Sequence, residues 1–122
     1  MQEEKYGIGQ AWNYQTREGE EGSYVTIALV EEHEKFGTIY HISIEQVSFR
    51  NPNSPTGIQS RLPHAPVTAK TLEDSVTTLI TDQVDLLPDI SIGYGQWRDA
   101  KGGVFTIPVK DIVKFIEDVV NG

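Results

Sequence analysis

GTIYHISIEQVSF, Gly37 to Phe49, is the stretch whose reading decides the fold. It is dense in β-branched and aromatic residues, the types that suit a pleated, half-buried surface, and reads as a strand. Successive side chains of a strand point to opposite faces, so Tyr40, Ile42 and Ile44 share one face while His41, Ser43 and Glu45 share the other. After Ile44 the apolar series slips by one residue to Val47 and Phe49. A β-bulge near Glu45 or Gln46 would return both to the inward face. On the N-terminal side, Tyr24 to Val30 sets Val25, Ile27 and Leu29 on one side, and Gly9 to Thr16 sets Trp12, Tyr14 and Thr16 against Ala11, Asn13 and Gln15. The breaks between these strands, REGEEGS and EEHEKFG, are short, charged and closed by a small residue, as hairpin connections are. An antiparallel meander is expected.

On the C-terminal side, Arg50 to Pro66 holds four of the six prolines and reads as a long irregular loop, residues 50–66. VTAKTLEDSVTTLITD, Val67 to Asp82, reads as a helix with Thr68 as N-cap, Val67 and Leu72 as a hydrophobic staple, and Leu72, Val76, Leu79 and Ile80 as its buried stripe. Between Val84 and Ala100, Ile90, Tyr94 and Trp97 fall on one helical face, but Gly93 and Gly95 each disfavour a helix by about 1 kcal/mol relative to Ala. A short helix is expected there, then a brief strand in GGVFTI. PVKDIVKFIEDVV is a helix with Pro108 in its first turn and an apolar stripe through Val109, Ile112, Val113, Ile116, Val119 and Val120. The order predicts one α+β domain over residues 1–122: an antiparallel meander of three or four strands packed against two or three helices, with helices on one face. A curled, barrel-like sheet is the alternative architecture.

Charge and composition narrow the function. Eighteen Asp and Glu against ten Lys and Arg give a net charge of -8, which repels phosphate backbones and anionic membranes and favours a basic partner. Eight of the acids precede residue 35: Glu3, Glu4, Glu18, Glu20, Glu21, Glu31, Glu32 and Glu34. The absence of cysteine excludes disulfides, thiolate catalysis and Cys-ligated metals. No apolar run approaches a membrane span and MQEEKYG lacks the features of a signal peptide, so a cytoplasmic protein is expected. No P-loop, GxGxxG, GxSxG or HExxH pattern occurs, and no cofactor or metal is called for. Oligomeric state is left open.

Three histidines invite chemistry. His33 sits in EEHEK among Glu31, Glu32 and Glu34, and a solvated acidic hairpin is preferred to a cation site. His41 lies on the second face of its strand and needs a hydrogen-bonding partner if that face is covered. His64 stands between Pro63 and Pro66, in the segment that also carries Arg50 and Arg61. Paired with His41 it would form an acid and base couple, with either arginine on an anion, the logic of metal-independent ester or phosphodiester cleavage. The preferred reading leaves both histidines structural. Trp12, Tyr14, Tyr40 and Trp97 read as core before they read as the lining of a small-molecule site. Glu18, Glu20 and Glu21 read as a solvated turn in which Arg17 pairs with one of them.

GQAWNYQTREGEEGS with VTIALVE, then GTIYHISI, RNPNSP, LPHAPVT and GGVFTIPVKDIVKFIE, resemble a family of small bacterial proteins that carries no assigned activity. The likeness runs from about Gly9 to Val119, and its GQxWxYxxRxGEExS and PHAP patterns are distinctive. It implies a bacterial cytosolic domain, and it implies that Trp12, Tyr14, Arg17, Glu20, Glu21, Ser23, His41 and His64 belong to one region. The function expected from the whole is a noncatalytic acidic protein-binding domain, in its most concrete form an immunity-type inhibitor of a basic bacterial toxin. The alternative is a small enzyme or ligand-binding domain using His41, His64, Arg50 and Arg61 beside the strand of Trp12 and Tyr14.

Overall fold

The computed structural model describes residues 5–122, so Glu3 and Glu4 of the acidic group lie outside it. Three strands appear where alternation and hairpin signals place them: β1 (Ala11–Tyr14), β2 (Tyr24–His33) and β3 (Gly37–Arg50). Gln46 has φ 55°, and the β3 register shifts between Glu45 and Phe49. That bulge returns Val47 and Phe49 to the buried face beside Ile42 and Ile44.

The segment expected to be a long loop is instead mostly strand. Residues 51–57 form a turn, and β4 (Ile58–Val67) pairs antiparallel with β3 through His41↔Pro66, Ile42↔Ala65 and Ile44↔Leu62. Pro63 and Pro66 are tolerated because β4 lies at one end of the sheet, where one row of backbone groups needs no strand partner. Phe105 touches that outer row. Its N–H donates to Pro66 O at 2.9 Å and its carbonyl accepts from Thr68 N at 3.1 Å, so the brief strand expected in GGVFTI is a single parallel bridge to Val67.

The helix expected from Val67 to Asp82 is cut in two. Helix α1 (Ala69–Ser75) ends at Ser75, and Val76–Thr81 becomes β5, paired antiparallel with β1. Five of the six residues in VTTLIT are β-branched, which stiffens χ1 against a helix and suits a strand. Thr68 does occupy the N-cap position, but its hydroxyl caps nothing. The result is an open five-stranded antiparallel sheet of order β4-β3-β2-β1-β5 with three helices, an α+β fold.

One sheet face carries the core. Trp12, Tyr14, Val25, Ile27, Tyr40, Ile42, Ile44 and Phe49 pack with Leu72 of α1 and with Val109, Ile112 and Val113 of α3 (Val109–Val120). Pro108 is the N-cap of α3 rather than its first-turn residue, and Ser75 Oγ accepts the Val109 N–H at 2.9 Å. Val119 leaves the buried stripe and faces solvent. The helices do not share one face. Helix α2 (Ser91–Asp99) lies across the opposite side, over His41.

Candidate functional site

The residues singled out from sequence fall into two groups on opposite faces. Trp12 and Tyr14 are in the core; Trp12 Nε1 donates to Gln10 Oε1 at 3.0 Å. Ser23 Oγ donates to Glu45 O at 2.7 Å, which leaves it to accept from Tyr14 Oη at 2.8 Å. Glu20 is not solvated as expected: it is only 5% exposed. Its carboxylate accepts from Arg17 Nε and Nη2 at 2.8 and 3.0 Å and from Ser48 N at 2.6 Å. Arg17 Nη1 reaches Glu117 of α3 at 2.9 Å, and Glu117 also accepts from Arg50 N at 2.8 Å. Arg17 thus binds the first turn, the β3 bulge and α3 together. The hydrogen bonds to Glu20 hold the guanidinium pKa well above its ordinary value. The Arg50 backbone hydrogen bond, with Arg17, holds Glu117 below the usual carboxylate range. Glu21 is exposed and accepts from Gly19 N at 2.8 Å. Arg50 ends β3 beside Ile58, apart from both histidines.

On the second face, three adjacent strands bring Glu31, His41 and His64 together. Leu29 stands opposite His41 on β2 and Pro66 opposite it on β4. Glu31 and His64 each lie two residues from those positions, so strand alternation turns both toward His41. His41 Nε2 is 2.6 Å from Glu31 Oε1, and His41 Nδ1 is 2.8 Å from His64 Nε2. The two imidazoles lie nearly parallel, 5.1 Å between centroids. Tyr94 and Trp97 of α2 close over them, their rings edge-on to His41 at 5.0 and 4.9 Å. His41 is completely buried and His64 partly so.

Gly93 explains how the helix can sit there. A Cβ at this position would come within 2.7 Å of His64 Cβ, too close for any other residue without movement. The glycine that weakens α2 as a helix is what lets it approach the sheet. Trp97, expected in the core, belongs to this roof and donates from Nε1 to Gly103 O at 2.8 Å.

The network assigns the protons. Burial pushes His41 below its ordinary pKa despite the Glu31 carboxylate, and burial together with His41 pushes His64 down to about 4. Both rings are therefore neutral at pH 7, with one N–H each. His41 must donate from Nε2 to the Glu31 carboxylate, so its Nδ1 accepts from His64 Nε2–H. That leaves His64 Nδ1 a bare acceptor.

His64 borders a cavity of about 480 Å³ shared with Arg61, Asp89, Ser91 and Gln96. Arg61 is 42% exposed in its side chain and uses Nε on Glu45 at 3.0 Å; its two amino groups make no hydrogen bond among the described residues, and Asp89, whose carboxyl is held below the usual range by its hydrogen bonds with Ser91 and, less, by the Arg61 charge, stands nearby. Here the structure joins three of the expected residues, His41, His64 and Arg61, and leaves Arg50 outside. It adds Glu31, Tyr94 and Trp97. At the Glu31 end a second cavity, of about 420 Å³, opens beside Tyr94, Trp97 and Phe36. His33, in the hairpin between, accepts at Nδ1 from Lys35 N and Phe36 N at 3.0 and 3.3 Å.

Among the described residues no cluster of three or more His, Asp or Glu is placed to hold a metal ion, and no helix is long and apolar enough to cross a membrane. The chain matches no protein-family model, no curated protein and no solved structure.

Proposed function

We propose that the protein is a small-molecule-binding domain with acid–base capacity, which takes an anionic ligand where His64 and Arg61 meet. The observation that carries this reading is the hydrogen-bond chain Glu31–His41–His64, buried at His41 and partly exposed at both ends, which ends in an unprotonated Nδ1. A ligand hydroxyl or a water held there donates to Nδ1, and the free amino groups of Arg61 hold the anion. When Nδ1 takes a proton, His64 Nε2–H passes to His41 Nδ1 and His41 Nε2–H to Glu31, which moves the positive charge toward a carboxylate. The same arrangement suits a general base for ester or phosphoester hydrolysis. With a pKa of about 4 His64 by itself is a weak base, and an anion beside it would raise that value. The test is an NMR titration of His64 with phenyl phosphate. The expected result is saturable binding with an increased His64 pKa, both abolished in Arg61→Ala. Binding that leaves the pKa unmoved, or no binding, would overturn the reading.

A second reading, an acidic protein-binding domain of the immunity type, is favoured by the segment Asp82 to Asp89. It presents Leu86, 87% exposed, with Leu87 between exposed Asp85 and Asp89. A basic bacterial toxin would meet both carboxylates and apolar surface there. This reading predicts a complex with the basic product of an adjacent gene that weakens with salt and is lost in Leu86→Asp; an unchanged complex in that variant would sink it. Both readings set the protein in the bacterial cytoplasm.

A further inference from the structure

We propose that the cavity at the Glu31 end, between the β2–β3 hairpin and the C-terminal half of α2, is a second binding site, for a planar aromatic anion. Two independent observations carry it. The first is the lining. Phe36, Tyr94 and Trp97 wall the cavity with aromatic surface, and Lys35, Arg98 and Lys101 stand against Glu31 and Glu34. Three of the chain's ten basic residues thus gather around one cavity, giving it a local excess of positive charge in a protein of net charge -8. Their charges are largely uncommitted. Lys35 lies over the Phe36 ring at 5.3 Å, Arg98 lies over the Tyr94 ring at 5.9 Å and makes one exposed contact of 3.3 Å to Asp99, and Lys101 has no side-chain partner among the described residues. A volume of about 420 Å³ is in the range of small-molecule sites.

The second observation is backbone strain. Lys101 has φ 52°, the left-handed region, at the position just past α2 where glycine is the ordinary residue. Glycine follows directly at Gly102, where a Cβ would come within 2.6 Å of Trp97 Cδ1, so the glycine next door serves the indole. The capping turn of α2, closed by Gly102 N–H to Trp97 O at 2.9 Å and Lys101 N–H to Arg98 O at 3.1 Å, requires the left-handed residue, and a lysine there in place of glycine sets a cation at the cavity rim. The aromatic part of the ligand packs among Tyr94, Trp97 and Phe36, and its carboxylate or phosphate meets Lys35, Arg98 and Lys101. This site is separate from the cavity at His64 and stands whether or not His64 acts as a base.

The test uses the full chain labelled with nitrogen-15 and two probes of like shape and opposite charge, 2-naphthoate and 2-naphthylmethylammonium. The indole N–H of Trp97 reports on the cavity, and that of Trp12, in the core, is the internal reference. We expect 2-naphthoate to shift Trp97 saturably and leave Trp12 in place, with the ammonium about tenfold weaker. Lys101→Gly relieves the strain, so its melting temperature should hold or rise while naphthoate affinity falls by about threefold to tenfold. The proposal is overturned by no saturable shift at Trp97, by equal affinity for the two probes, or by unchanged affinity in Lys101→Gly.

Discussion

At the scale of single residues, His41 and His64 differ in what they hold. His41 has no exposed surface and bonds at both ring nitrogens, so His41→Ala leaves a cavity and strips partners from Glu31 and His64. His64 is partly exposed and makes one bond through Nε2. Chemical denaturation should show a loss of about 3 kcal/mol for His41→Ala and about 1 kcal/mol for His64→Ala. Equal losses would mean that the chain is not organised around His41. His41 was legible from sequence as a residue that needs a partner if its face is covered. Glu31 was not, because its neighbours Glu32, His33 and Glu34 read as a solvated hairpin, and only pairing with β3 separates the inward carboxylate from the outward ones. Glu20 was misread for a related reason: its partners Ser48 and Arg17 meet across 28 and three positions of sequence, and composition cannot show that such a carboxylate is enclosed.

At the scale of elements, α2 depends on one close approach. It has no fully buried residue and docks through Tyr94, Trp97 and the bare backbone of Gly93. Gly93→Ala adds about 1 kcal/mol of helix propensity but drives a methyl into His64. The expected outcome is faster amide exchange along α2 and a rise in the pKa of His41 toward its ordinary value, as water reaches the ring. Unchanged exchange would show that the helix is held elsewhere. Two elements escaped the sequence reading for physical reasons. The prolines of β4 look like loop residues until the strand is known to lie at the sheet edge. The apolar spacing of Val76, Leu79 and Ile80 fits a helical stripe, and it was overridden because β1 needed a partner on its second side and β-branched residues supplied one.

At the scale of the molecule, the buried histidines make stability depend on pH. The His64 pKa falls from an ordinary 6.5 to about 4 on folding, and His41 moves in the same direction. Between those values the unfolded chain binds more protons than the folded one, so stability rises with pH across this window. Their contribution is complete above about pH 6.5 and is lost as pH falls toward 4. Between pH 7 and 4.5 His64 accounts for about 2 kcal/mol of the loss. Urea denaturation at pH 4.5 and 7 should show the loss for the native chain and a smaller one for His64→Gln; identical losses would place the titration in other groups.

Sequence by itself determined the strand-forming stretches of the meander, the bulge near Gln46, the amphipathic C-terminal helix and the α+β class, because each rests on local periodicity and residue type. Only tertiary structure decided that β4 and β5 complete the sheet, that Trp97 roofs the second face rather than filling the core, and that Glu31, His41 and His64 form one hydrogen-bonded chain. Those outcomes depend on which strand lies beside which and in what register. Pairing across the sheet joins residues 10 and 23 positions apart that no local pattern connects.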